Sequence, residues 1–265
     1  MTDVTSRDGT KIAYSRAGEG PALVLVDGAL NTRTFGPNPD LAKLLADHFT
    51  VYTYDRRGRG DSGDTAPYAI EREVEDVEAV IEAAGGSAYL YGISSGAALA
   101  LEAATRLSSV KKLALYEAPF VVDATRPPTP SDCGARIGEL VAAGKRSAAV
   151  KLFMAKGVNL PGAVVALMPL MPAWKQLKAV AHTLPYDLAL VQHAQAGKPL
   201  PADRWSALAV PTLVVGGTKS PQWMRNGVEA LAGTLPGARH RALPGQTHIV
   251  KAAALAPVLR EFFGG

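Results

Sequence analysis

With 265 residues, 48% hydrophobic and 20% charged, the chain has the size and balance of one large globular domain, which excludes a disordered polymer. The 28 Lys and Arg against 24 Asp and Glu give a formal charge of +4, and the basic residues fall in scattered groups (Arg56, Arg57 and Arg59; Lys111 and Lys112; Lys145 and Arg146) that are expected to be solvated surface groups, not a nucleic-acid stripe. A single cysteine, Cys133, excludes an internal disulfide framework; with no signal-like run in residues 1–8 and no apolar stretch long enough for a bilayer, a cytoplasmic location and no membrane partner are expected.

In chain order, the turn Asp8-Gly9 followed by 11–14 predicts a hairpin, and the apolar run 22–26 a buried strand. A short amphipathic helix over 38–47, a strand over 50–54 and a helix over 70–84 closed by Gly85-Gly86 come next. Strand 88–91, helix 95–107 and strand 111–116 continue the alternation. It resumes with strand 212–215, helix 223–235, strand 238–243 and helix 249–263. Such alternation predicts an α/β fold with a mostly parallel sheet covered on both faces. Between 119 and 205, helical segments broken by Pro127-Pro128, Pro161, Pro169, Pro172, Pro185 and Pro199 carry no convincing strand. That stretch is expected to be a helical cap inserted into a core of 1–118 and 206–265.

Gly92-Ile93-Ser94-Ser95-Gly96 fits G-x-S-x-G between an apolar strand and an Ala-rich helix. This is the setting of a nucleophile elbow, a sharp turn that lifts a serine hydroxyl above the sheet while glycines clear the space around it. Ser95 is the rival hydroxyl, and the glycine spacing favours Ser94. A serine hydroxyl needs a base. Of five histidines, only His248 follows the last predicted strand at the head of the final helix; His48, His182, His193 and His240 fit packing or ordinary polar roles.

Over nearly its whole length the chain resembles the α/β-hydrolase superfamily. Besides the elbow, Asp55-Arg56-Arg57-Gly58-Arg59-Gly60-Asp61-Ser62 is similar to the D-x-R-G-x-G-x-S loop of many members, and Val26-Asp27-Gly28-Ala29-Leu30 is similar to their HG loop. The resemblance implies an α/β-hydrolase fold with the D-x-R-G-x-G-x-S loop in a structural role, and His248 as base. It also implies Ala29 and Ser95 as the residues whose amides hold an oxyanion. Asp27 stands where a histidine is usual, and a carboxylate there would oppose developing negative charge unless it points away or is paired.

The family's usual acid position after the seventh strand reads Gly216-Gly217-Thr218-Lys219-Ser220-Pro221, with no carboxylate between Arg204 and Val228. Glu117, at the end of the sixth strand, is the best substitute, as in some members such as certain haloalkane dehalogenases; Asp123 is a poorer one, and loop bonding at the cap hinge is the other role open to Glu117. Met154, Met168, Met171 and Trp174 in the cap, with Asp27, are candidate substrate contacts, although apolar stripes also form plain core. The expectation is a cofactor-free, metal-free serine hydrolase of a small ester, thioester or lactone, monomeric or homodimeric. The alternative is a non-acyl cyclase or lyase, or a ligand-binding protein, on the same fold, motivated by Asp27 and the vacant acid loop.

Overall fold

A computed structural model describes residues 2–265. Eight strands form one sheet: β1 (Thr2–Thr5), β2 (Lys11–Ala17), β3 (Ala22–Val26), β4 (Thr50–Tyr54), β5 (Ala88–Ile93), β6 (Val110–Tyr116), β7 (Thr212–Gly217) and β8 (Arg239–Leu243). Their order is β1-β2-β4-β3-β5-β6-β7-β8. β2 pairs antiparallel with both β1 and β4 at one edge, and the remaining pairs are parallel. Strands covered on both faces need apolar residues at successive positions, as in β3, where Leu23, Leu25, Val24 and Val26 are all fully buried.

One face of the sheet is covered by α2 (Ile70–Ala83), α3 (Ser95–Arg106) and α9 (Gln222–Thr234), the other by α1 (Asn38–Leu45) and α10 (Ala252–Gly264). The alternation of β3 sends Val24 and Val26 to the first core, and Leu23 and Leu25 to the second. Between β6 and β7 the chain builds α4 (Cys133–Ala142), α5 (Arg146–Leu152), a π turn (Phe153–Gly157), α6 (Gly162–Leu167), α7 (Trp174–Ala179) and α8 (Leu184–Val191), without a strand. These helices are short where prolines interrupt them, and they share a hydrophobic cluster of their own around Ile137, Val150 and Leu184. We call this segment the cap.

The chain forms the α/β-hydrolase fold that the element order predicts, with three adjustments. β1 is an edge strand of polar residues, TDVT, without an apolar period to announce it. β7 runs through Gly216 and Gly217, which pair with Ala242 and Leu243. The last helix begins at Ala252, so His248 sits in the loop before it.

The largest correction concerns Arg56, Arg57 and Arg59, each only 1% exposed, where solvated groups are expected from sequence. Arg56 is bidentate to Glu73 at 2.7 Å on both arms. Arg57 is bidentate to Asp76 at 2.7 Å and reaches Asp8 at 2.9 Å. Arg59 is held by Asp187 of α8. A guanidinium can be buried only when its charge and its donors are matched, and here four carboxylates from distant parts of the chain do so.

Candidate active site

Ser94 ends the turn from β5 into α3 with φ 57°, in the left-handed region that a non-glycine residue seldom occupies. Its amide donates to the Tyr116 carbonyl at 2.9 Å. The tight turn leaves no room for side chains at its flanking glycines. A Cβ on Gly92 would stand 2.4 Å from the Gly96 carbonyl oxygen, and one on Gly96 would stand 2.4 Å from that of Val26.

Facing the elbow, the loop after β3 turns at Leu30, whose φ is 65°. Among the described residues, neither the Ala29 amide nor the Ser95 amide is engaged in a hydrogen bond. Ala29, Ser94, Ser95 and His248 together line a cavity of about 50 Å³. Two free backbone N–H groups beside a serine at a helix N-terminus can stabilise an oxyanion.

Glu117 follows β6 with φ 45° and no solvent exposure. One carboxylate oxygen, Oε2, lies 2.9 Å from His248 Nδ1. The other accepts from the Gly217 amide at 2.7 Å and the Ser220 hydroxyl at 2.5 Å. The loop after β7, which carries no carboxylate, thus supplies donors to a carboxylate from the neighbouring strand. Asp123 instead bonds Thr125 and Asn226 at the surface.

The five substrate-contact candidates fall elsewhere. Met168 and Trp174 are buried in the cap's own cluster with Met154 packed against it, and Met171 is 46% exposed. The cavity wall is built instead by Phe153, Val158, Asp187, Leu188, Val191, Gln195, Trp223 and Met224, among others. Phe153 belongs to both the cap cluster and the cavity wall, and Gly157, four residues on, lines the cavity beside it, whereas Met154 packs against the cap cluster only. Trp223 and Met224 were findable, since the first turn of a helix after a sheet strand lies at the carboxyl edge where α/β ligands bind. Asp187, one carboxylate in the apolar run 184–191, was the other available signal.

Asp27 is 1% exposed and forms no part of the cavity wall. It continues the alternation of β3 toward the α1 face, where it lies beside the buried Asn38. Burial pushes its carboxyl up to about 8 against the pull of Arg59 and Arg56. The folded state keeps a proton that the unfolded chain releases above pH ~4, so this contribution to stability is lost as pH rises from there to about 8. Asp27→Asn, which imitates the neutral acid, is therefore expected to melt several degrees above wild type at pH 8, with the gap shrinking toward pH 5. A gap of the same size at both pH values contradicts a buried neutral acid.

A family model described as the alpha/beta hydrolase family matches residues 24–258. The crystal structure of an alpha/beta hydrolase from Sphaerobacter thermophilus DSM 20745 matches at a TM-score of 0.91 and 50% identity, over 99% of this chain and 100% of that one. Among curated proteins, the uncharacterized hydrolase YraK of Bacillus subtilis (strain 168) is 33% identical over 106 residues. A pimeloyl-(acyl-carrier protein) methyl ester esterase of Stenotrophomonas maltophilia (strain R551-3) is 40% identical over 103 residues. These two matches take in 37% and 38% of this chain, and they span 37% of each relative's length.

Proposed function

Because the chain belongs to the alpha/beta hydrolase family, we propose that it is a serine esterase acting on small carboxylic esters or lactones through an acyl-enzyme on Ser94. Ser94 Oγ attacks the carbonyl carbon and passes its proton to His248 Nε2, whose Nδ1–H donates to Glu117. The Ala29 and Ser95 amides receive the oxyanion. Collapse breaks the bond to the alkoxy group, which leaves with the proton from His248. A water then repeats the sequence on the acyl-serine, releasing the acid and restoring the serine.

The observation that carries this proposal is the fixed Glu117–His248 contact, with His248 and Ser94 on the wall of one cavity. Two observations support this reading over a binding or non-acyl protein: Asp27 is not among the residues lining the cavity, and a Glu117 carboxylate oxygen lies 2.9 Å from His248 Nδ1.

The cavity's volume of about 50 Å³ suits a short acyl group. A groove of about 500 Å³ in the cap has Leu188 and Gln195 in common with it as lining residues. The proposal is tested by a p-nitrophenyl ester series: kcat/KM for acetate is expected to exceed that for octanoate by about tenfold or more, each misfitting methylene costing roughly 1 kcal/mol or more. Leu188→Ala, which trims a residue lining both spaces, is expected to raise octanoate turnover and leave acetate turnover within about threefold. No hydrolysis of any ester by folded protein contradicts the esterase proposal, and octanoate matching acetate contradicts the short-acyl assignment.

A further inference from the structure

Both halves of the proposed oxyanion site are tied to one carboxylate of the cap. Asp187 of α8 is 1% exposed. Its Oδ1 accepts from the Ser95 hydroxyl at 2.7 Å, from Arg56 at 2.7 Å and from Arg59 at 2.8 Å, and its Oδ2 accepts from Arg59 at 2.7 Å. Arg59 in turn donates through Nη1 to the Gly28 carbonyl at 2.6 Å, and Arg56 donates to the Asp27 carbonyl at 3.3 Å. The Gly28 carbonyl and the Ala29 N–H belong to one planar peptide unit. Fixing the carbonyl end therefore aims the N–H end, and a cation bonded to the oxygen polarises the amide into a better donor. The Ser95 hydroxyl bond fixes the residue that bears the second free N–H.

Resting on the assignment of the Ala29 and Ser95 amides as oxyanion donors, we propose that Asp187 is a positioning residue that aims both amides, so that the oxyanion site is complete only while α8 is seated on the core. Burial alone would favour the neutral acid, but Arg59 and Arg56 hold the Asp187 carboxyl below the usual carboxylate range, so the tie is ionic at working pH. Thr183, another cap residue in the network, accepts from Arg59 Nε at 3.1 Å and makes no hydrogen bond to either donor residue. Displacing α8 from the core would in this way loosen both amides at once.

The test compares Asp187→Asn and Ser95→Ala with wild type. Asparagine keeps the size of the aspartate but cannot balance two arginines; alanine keeps the Ser95 amide, removes only its tether, and leaves Asp187 with both arginines should the first variant fold poorly. With p-nitrophenyl acetate, kcat is expected to fall about 100-fold in Asp187→Asn and about tenfold in Ser95→Ala, with KM within about threefold, a loss approaching that of one oxyanion donor. Affinity for 1,1,1-trifluorobutan-2-one, whose serine adduct carries the oxyanion, is expected to fall by the same factors as kcat/KM. A kcat within twofold of wild type in Ser95→Ala, or a loss carried by KM with ketone affinity unchanged, overturns the proposal.

Amide hydrogen exchange separates this failure from failure of the esterase assignment. Wild type without Ser94-dependent turnover refutes the esterase, and the tie is then judged on exchange in Ser95→Ala alone. Faster exchange in the segment 94–96, with α9 unchanged, supports it, and unchanged exchange there overturns it.

Discussion

Ser94→Ala is expected to lower kcat for p-nitrophenyl acetate by roughly five orders of magnitude or more, while the melting temperature stays within about 2 °C of wild type. The substitution deletes one oxygen and keeps the Cβ, so the strained φ of 57° at this position is neither relieved nor worsened. The Tyr116 carbonyl still receives the amide of residue 94. What disappears is the atom proposed to carry the acyl group. His248 and the two amides persist and can assist a water only weakly, since members of such a unit act together and lose most of their effect together. Turnover near the wild-type rate rejects Ser94 as nucleophile.

Glu117→Gln is expected to lower kcat by about 10⁴-fold with little change in KM. A glutamine can still accept from the Gly217 amide and the Ser220 hydroxyl through its oxygen, as Glu117 Oε1 does. Its NH₂ then faces His248 Nδ1, where Oε2 stood at 2.9 Å. A donor at that point selects the imidazole tautomer with its proton on Nε2, which cannot take the proton of Ser94, and it withdraws the negative charge that steadies the imidazolium. Glu117→Ala is expected to cost in addition about 1–3 kcal/mol of stability, because two donors are left unpaired in a dry interior. A kcat within twofold for Glu117→Gln returns Glu117 to a loop-bonding role.

How much of this was legible in the sequence follows the range of the forces involved. The β–α alternation and the strand–turn–helix setting of Ser94 rest on local periodicity and turn chemistry, and the structure carries both; His248 follows β8 in the loop before the last helix instead of at that helix's head. Glu117 was legible as a candidate only by elimination together with the resemblance to members that carry an acid at the end of the sixth strand. The donors that reward a carboxylate there, Gly217 and Ser220, lie 100 and 103 residues away. Arg56 and Arg59 read as surface charge because their partner Asp187 is 131 and 128 residues distant, and nothing local marks them as paired. The cap's methionines show the opposite limit: an apolar run announces burial but not which of two adjacent interiors receives each side chain. Asp27 read as a threat to the oxyanion site, and only the three-dimensional path of the loop after β3 shows it facing α1.

The central claim, an acyl-enzyme on Ser94, is most directly tested by rapid-mixing kinetics with p-nitrophenyl acetate, quenched in acid and digested for mass spectrometry. A burst of p-nitrophenol approaching one equivalent per protein and an acetyl group on the peptide containing Ser94 are expected, both absent from Ser94→Ala. Linear release without a burst, together with an unmodified Ser94 peptide from protein that is turning over ester, would contradict that claim.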